Sequence, residues 1–331
     1  MTAILVTGGA GYIGSHCCKV LSNVGYTPVT YDSLERGHAS AVQWGPLEQG
    51  NILDVDRLTE VIQQYRPQAV MHFAAYALVG ESVEYPDMYY RNNVEGSRKL
   101  IDTMLQNGIN KMIFSSTCAT YGTPQEIPIP EEHQQKPINP YGVSKLQIEK
   151  LLCDYDQTHN FKSVSLRYFN AAGADPDTQI GEDHDPETHL IPIALDTALG
   201  IHPYLTINGD NYETADGTCI RDYIHIMDVA QAHLKALEQL LNNNCNTSFY
   251  NLGNSCGFSV REIIAKVEQI TGKKLNIKIG PRRAGDPPVL IGKSDKVRQE
   301  LGWQPEFSSI DQIIETAWRW HRKKHTDSKT V

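Results

Sequence analysis

An α/β fold, a doubly wound parallel sheet with a smaller C-terminal α/β lobe, is predicted by three features of the 331-residue sequence. Short apolar runs alternate with amphipathic segments of helical length, a glycine-rich turn follows the first run, and the alternation weakens after about residue 170. A length of about two average domains agrees with two lobes.

The first strand is read at Ile4-Leu5-Val6, after an opening with neither a basic region nor a long apolar one, so no secretory signal is visible. The next strands fall at Thr27-Pro28-Val29-Thr30-Tyr31, Ala69-Val70-Met71-His72-Phe73, Met112-Ile113-Phe114-Ser115 and Ser163-Val164-Ser165-Leu166. Helices are predicted between them, near 12–24, 54–65, 87–107 and 141–158, and strand–helix repetition of this kind gives a parallel sheet. Beyond residue 170, helices are expected from His225 to Leu237 and from Val260 to Thr271, with a strand at Leu275-Asn276-Ile277-Lys278-Ile279. The polar tail from Arg322 is expected to fray.

Apolar residues make up 40% and charged residues 21%, which excludes a disordered chain, and the net charge of -9 disfavours nonspecific nucleic-acid binding. No stretch approaches the roughly 18 apolar residues of a membrane span. Seven scattered cysteines read as reduced cytoplasmic thiols, with the adjacent Cys17-Cys18 as helix core packing. The twelve histidines lack the HExxH or Cys/His finger spacings, so no structural metal is expected.

Gly8, Gly11 and Gly14 stand between the first strand and the first helix, where a dinucleotide fingerprint belongs. Glycine there permits a tight turn and a close pyrophosphate, and the helix N-terminus offers free N–H donors. The spacing is GxxGxxG rather than the commoner GxGxxG. Asp32, after the second strand, suits the ribose hydroxyls and repels a 2′-phosphate, favouring NAD over NADP; Arg36 nearby could accommodate that phosphate.

Tyr141 and Lys145, four apart on a predicted helix, share a face. A phenol acting as base near neutrality needs its pKa lowered by about three units from about 10, and a lysine cation and a positive nicotinamide both favour the phenolate. Ser115-Ser116-Thr117 ends the fourth strand and supplies hydroxyl candidates. Together these residues suit redox chemistry on an alcohol.

Over nearly its whole length the chain resembles the extended short-chain dehydrogenase/reductase superfamily, and within it the UDP-glucose 4-epimerases. The resemblance is carried by the opening from Thr7 to Gly14, His72-Phe73-Ala74-Ala75, Val79-Gly80-Glu81-Ser82, Tyr90-Arg91-Asn92-Asn93 and Tyr168-Phe169-Asn170. It continues through Asp216 to His225, Pro281-Arg282-Arg283-Ala284-Gly285-Asp286 and Gly302-Trp303.

The resemblance implies a Rossmann-type NAD domain over 1–170 and a mainly substrate-binding lobe over 171–331, with a segment near 220–240 packing back on the first domain. It implies C4 epimerisation between UDP-galactose and UDP-glucose through a transient 4-keto sugar. Tyr141 is then the base, Lys145 its electrostatic partner and ribose ligand, and Thr117 the hydroxyl that orients the sugar. Tyr12, Ile13, Asp32, Asn51, Ile52, Phe73, Ala74, Ala75, Asn92, Ser115 and Phe169 fall beside NAD. Asn170, His189, Leu190, Arg221, Arg283 and Asp286 fall beside the UDP-sugar, where forked guanidinium donors suit a diphosphate.

Leu290 aligns with a gate intermediate between hexose-restricted and N-acetyl-admitting members, so UDP-N-acetylhexosamines and UDP-pentoses stay in view as substrates. Asn51 stands where an aspartate often meets adenine, Ala77 where some members place a lysine, and His189 where some have asparagine. The related dehydratases and decarboxylases resemble one another in a carboxylate just after the Thr117 position, whereas Cys118 and Ala119 follow here. A homodimer is the family expectation.

Overall fold

The computed structural model describes residues 2–243, 246–283 and 286–327. Its strands are β1 (Ala3–Thr7), β2 (Thr27–Asp32), β3 (Leu47–Gln49), β4 (Ala69–His72), β5 (Lys111–Thr117), β6 (Lys162–Tyr168), β7 (Asn170–Ala172), β8 (Leu205–Asn208), β9 (Ile220–His225), β10 (Ser248–Leu252), β11 (Gly257–Ser259), β12 (Ile277–Gly280) and β13 (Val289–Leu290). Its helices are α1 (Tyr12–Asn23), α2 (Val55–Tyr65), α3 (Val79–Glu84), α4 (Pro86–Tyr89), α5 (Gly96–Gln106), α6 (Pro140–His159), α7 (Leu190–Ala198), α8 (Ile226–Leu241), α9 (Val260–Thr271), α10 (Asp295–Leu301) and α11 (Ile310–Asp327).

Seven strands form one parallel sheet in the order β10-β6-β5-β4-β1-β2-β3. Strands covered on both faces need apolar residues throughout, which is why Ile4, Leu5 and Val6 form an unbroken run and are all fully buried. Ile4 and Val6 pack in one layer with Cys17, Cys18 and Leu21 of α1 and Val229, Ala232 and Ala236 of α8. Leu5 faces the opposite layer, with Leu58 and Val61 of α2, Leu100 of α5 and Ile148 of α6. The direction of winding reverses at β1 and β4, and a ligand crevice opens beyond the strand ends at such a point.

The C-terminal half adds a sheet in which β9 pairs in parallel with β7 and β13 and antiparallel with β11, and a separate parallel pair β8–β12. A third apolar cluster joins α7, α9 and α11 there, through Leu195, Ile264 and Ile314.

The six strands and six helices read from the sequence are present, with three differences. The predicted 87–107 helix is broken by a π-helical turn, Tyr90–Glu95, between α4 and α5. The C-terminal helix continues past Arg322 to Asp327, because Ile310, Ile313, Ile314 and Ala317 dock it into the third cluster. The strand expected from Leu275 begins at Ile277. Ala284 and Gly285, part of a motif noted above, lie outside the described residues. The six described cysteines are free, with Cys17 and Cys18 buried, and no helix of the described residues is long and apolar enough to cross a membrane.

Candidate active site

The β1–α1 turn is built by contact. Gly8 has φ +75, and a Cβ on it would meet the Ala74 nitrogen at 2.5 Å; one on Gly14 would meet Gly8 O at 2.2 Å. The loop therefore lies against the end of β4, beside Phe73 and Ala74. Gly11 is the N-cap of α1 and gives no side-chain cap, so the first-turn N–H groups of Tyr12, Ile13 and Gly14 have no intrahelical acceptor and are available to an anion. The turn is a tight backbone cradle with no room for a side chain at Gly8 or Gly14, and its shape suits a pyrophosphate.

Asp32, 8% exposed at the end of β2, accepts from Ala10 N (3.0 Å) and Leu34 N (2.9 Å). Burial raises its pKa and these two bonds oppose the rise. Arg36 donates to Glu81 Oε1 at 2.6 Å and lies over the Tyr76 ring, so its charge already has a carboxylate. Asn51 Oδ1 accepts from Leu53 N at 2.9 Å, which leaves the side-chain amide N–H groups and one oxygen lone pair for an adenine. Ile52 is buried against Gly96, and Asn92 lies in the π-helical turn, donating to Asn93 Oδ1 at 3.0 Å. The Tyr12 hydroxyl donates to Gly173 O at 2.6 Å, tying α1 to the segment after β7.

Strand alternation sorts the three hydroxyls that end β5. Ser116 turns away and donates to Glu149 Oε1 at 2.6 Å. Ser115 Oγ pairs with the Tyr168 hydroxyl, and Thr117 neighbours the Tyr141 phenol as a hydrogen-bonding group. Asn139 caps α6 by accepting from Gly142 N at 2.8 Å, which fixes the turn carrying Tyr141. Lys145, 2% exposed, donates to Ser115 O at 2.8 Å, and its Nζ lies 5.9 Å from the Tyr141 ring centre.

Burial moves the two groups apart. It pushes the Tyr141 phenol up to about 12, against the Thr117 hydrogen bond that lowers it. It pushes Lys145 down to about 7, with Glu149 acting the other way. Tyr141 is thus a neutral phenol in the ligand-free protein, and further positive charge is needed to make it a base.

Toward the C-terminal half, Phe169, Cys118, Tyr121 and Ile129 form a small apolar cluster with Leu290 packed on it. Leu290 pairs in register with Arg221, which donates to Asp286 Oδ1 and to Pro287 O (2.8 Å). Asn170 stands opposite Tyr223 in the β7–β9 pair. Arg283 is beside Asn208, whose amide oxygen, when turned toward the guanidinium, accepts at 3.1 and 3.2 Å. The fold thus carries a continuous wall from Tyr141 through Thr117 and Cys118 to Leu290, Arg221 and Asp286.

His189 keeps different company, at the N-cap of α7 with Leu190 next to it. Its Nδ1 lies 2.8 Å from Glu187 Oε1 and 2.9 Å from Glu182 Oε1, beside His184. Burial works against charge on His189, but the two carboxylates outweigh it and lift its pKa to about 10.

Sequence reading passed over the polar layer beneath the site. Arg167 makes a fork to Glu149 (2.9 and 2.7 Å) and donates to the Tyr121 hydroxyl at 2.9 Å, with both charged groups buried. Thr7 Oγ1 lies 2.7 Å from His72 Nδ1, whose Nε2 is 2.8 Å from Ser97 Oγ. Glu149, one turn after Lys145 on the same helix face, was the available signal.

A family model, the NAD dependent epimerase/dehydratase family, matches residues 4–253. This chain belongs to that family. A UDP-glucose 4-epimerase of Rhizobium leguminosarum bv. trifolii is 48% identical over 97% of this chain and 98% of its own. The crystal structure of UDP-glucose 4-epimerase from Brucella ovis in complex with NAD is 50% identical, covers 96% of this chain and 98% of its own, and superposes with TM-score 0.93. A UDP-glucose 4-epimerase from Stenotrophomonas maltophila, solved with NAD and formylated UDP-arabinopyranose, is 36% identical with TM-score 0.94, covering 99% and 100%.

Proposed function

We propose that this enzyme binds NAD and interconverts UDP-galactose and UDP-glucose by inverting sugar C4 through a 4-keto sugar. The observation that carries the reading is the meeting of Tyr141, Lys145 and Thr117 at the carboxyl edge of the sheet with no carboxylate directly after Thr117, where Cys118 and Ala119 stand. An elimination would require an acid at that place; reversible proton transfer at O4 does not.

The glycine turn, the open α1 N-terminus and Asp32 would hold the dinucleotide, and Asn51, Ile52, Phe73, Ala74, Ala75, Asn92, Ser115 and Phe169 would line it. When bound, NAD supplies the hydride acceptor at C4 and a positive ring that favours the Tyr141 phenolate. Tyr141 takes the O4 proton and later returns it. Lys145 adds charge beside the phenol, and Thr117 orients the hydroxyl being oxidised. Arg221 and Arg283 meet the diphosphate, Asp286 fixes Arg221, and Asn170, His189 and Leu190 flank the nucleotide sugar.

The test is purified protein with UDP-galactose and no added cofactor. UDP-glucose should accumulate to equilibrium without net NADH, and failure to interconvert with NAD bound would overturn the reading. A second reading, activity on N-acetylated or pentose UDP-sugars, is favoured by the aliphatic Leu290 packed against Phe169 and Cys118. Leu290→Tyr should then cut N-acetylhexosamine turnover at least about tenfold more than hexose turnover, an effect of about 1.4 kcal/mol; equal losses would remove Leu290 as a gate. Homodimer assembly in the cytoplasm completes the proposal, and light scattering on the eluted protein tests the dimer.

A further inference from the structure

We propose that Asp196, His321 and His325, with His202 as a fourth donor, form a binding site for a zinc-like divalent cation, away from the residues assigned to catalysis. His321 and His325 are one turn apart on α11 and face Asp196 of α7. His321 Nδ1 lies 2.9 Å and His325 Nε2 3.3 Å from the same oxygen, Asp196 Oδ1. The three donors all fall within 4.8 Å of one another. Metal–donor bonds of 2.0–2.1 Å put neighbouring tetrahedral donors about 3.3 Å apart, so these spacings need only small adjustment. His202 Nε2, on an exposed side chain after α7, is 3.9 Å from Asp196 Oδ2 and can swing inward.

Three imidazoles and one carboxylate suit zinc better than magnesium or calcium, which take oxygen ligands. The second observation is unmet polarity. His325 Nε2 is screened from solvent and lies 3.3 Å from Asp196 Oδ1 without forming a well-aligned hydrogen bond to it. The neighbouring cations are turned aside: Lys324 pairs with Asp183, and Lys323 donates to Thr178 O at 2.9 Å. The expectation of no metal arose because these ligands are scattered over residues 196–325. Only the His321–His325 spacing is local.

A bound cation would pin α11 to α7. In the full-length protein after chelator treatment, zinc chloride should bind at one equivalent and raise Tm by ~3–5 °C when free metal is about 100-fold above Kd. Cobalt in its place should give the intense visible bands of a tetrahedral ion. The double variant His202→Ala/His325→Ala changes two partly exposed side chains; it should keep its metal-free Tm and lose both responses. No zinc response in the native protein, or an equal response in the double variant, would overturn the site. So would a response lost in His184→Asn, which would place the metal at the Glu182–His189 cluster.

Discussion

Tyr141 and Lys145 are perturbed in opposite directions by burial, and the lysine carries a pH signature. Its folded pKa of about 7 lies below the ordinary 10.5. Across that interval the unfolded chain binds the extra proton, so stability from this group rises with pH. The cost of burying the ammonium is present in full below pH 7 and is relieved as pH climbs toward 10.5. Lys145→Met in nucleotide-stripped protein should accordingly raise Tm relative to the native chain most at pH 6 and much less at pH 9. An advantage unchanged with pH would show that Lys145 is not the depressed group. The proposed base is tested separately: Tyr141→Phe should lower kcat by about 10²–10⁴-fold while NAD stays bound. Wild-type turnover would remove Tyr141 from that role.

The β1–α1 turn shows how an element carries function through backbone shape alone. A methyl on Gly14 would come within 2.2 Å of Gly8 O and 2.8 Å of Gly9 Cα, both backbone atoms, whereas one on Gly11 would stop 3.3 Å from Gly8 O. Gly14→Ala should therefore lose most of its co-purifying NAD, read from the 260/280 nm absorbance ratio, and Gly11→Ala should keep far more. Equal retention would mean that the cradle is looser than its contacts. This turn was legible because its glycines, a strand and a helix are adjacent in sequence. Tyr141 and Lys145 were legible for the same reason, being one helical turn apart. The Arg221–Asp286 pair rests on the resemblance instead, because 65 residues separate its members and pairing across β9 and β13 joins them. The Glu149–Arg167 fork was missed because it crosses from a helix to a strand. β3 has only three residues, too few for periodicity to declare. β10 has a strand-like composition, but nothing local says that it joins β6 in parallel at the sheet edge.

At the scale of the molecule, that edge strand belongs to a larger return of the C-terminal half onto the first sheet. Leu237 of α8, Leu252 of β10 and Val297 of α10 share one apolar cluster with Ile4 and Val6. Trp303 completes it: the side chain is fully buried, and its Nε1 donates to Asp228 O at 2.9 Å. Asp228 in turn accepts from Glu306 N (2.7 Å) and Phe307 N (3.0 Å), holding the chain between α10 and α11. The indole thus spans two jobs, filling the layer over β1 and anchoring the approach to α11. Trp303→Ala should cost about 3–5 kcal/mol through lost burial and the cavity it leaves. Trp303→Phe keeps most of the fill and gives up one donor, a loss nearer about 1 kcal/mol. Because the same layer supports the helix that opens on the glycine turn, denaturant should release NAD and unfold the backbone at one shared midpoint, lower in the alanine variant. If fluorescence of released nucleotide and far-UV circular dichroism instead gave separated midpoints, the C-terminal return would be an appendage rather than part of the nucleotide-binding core.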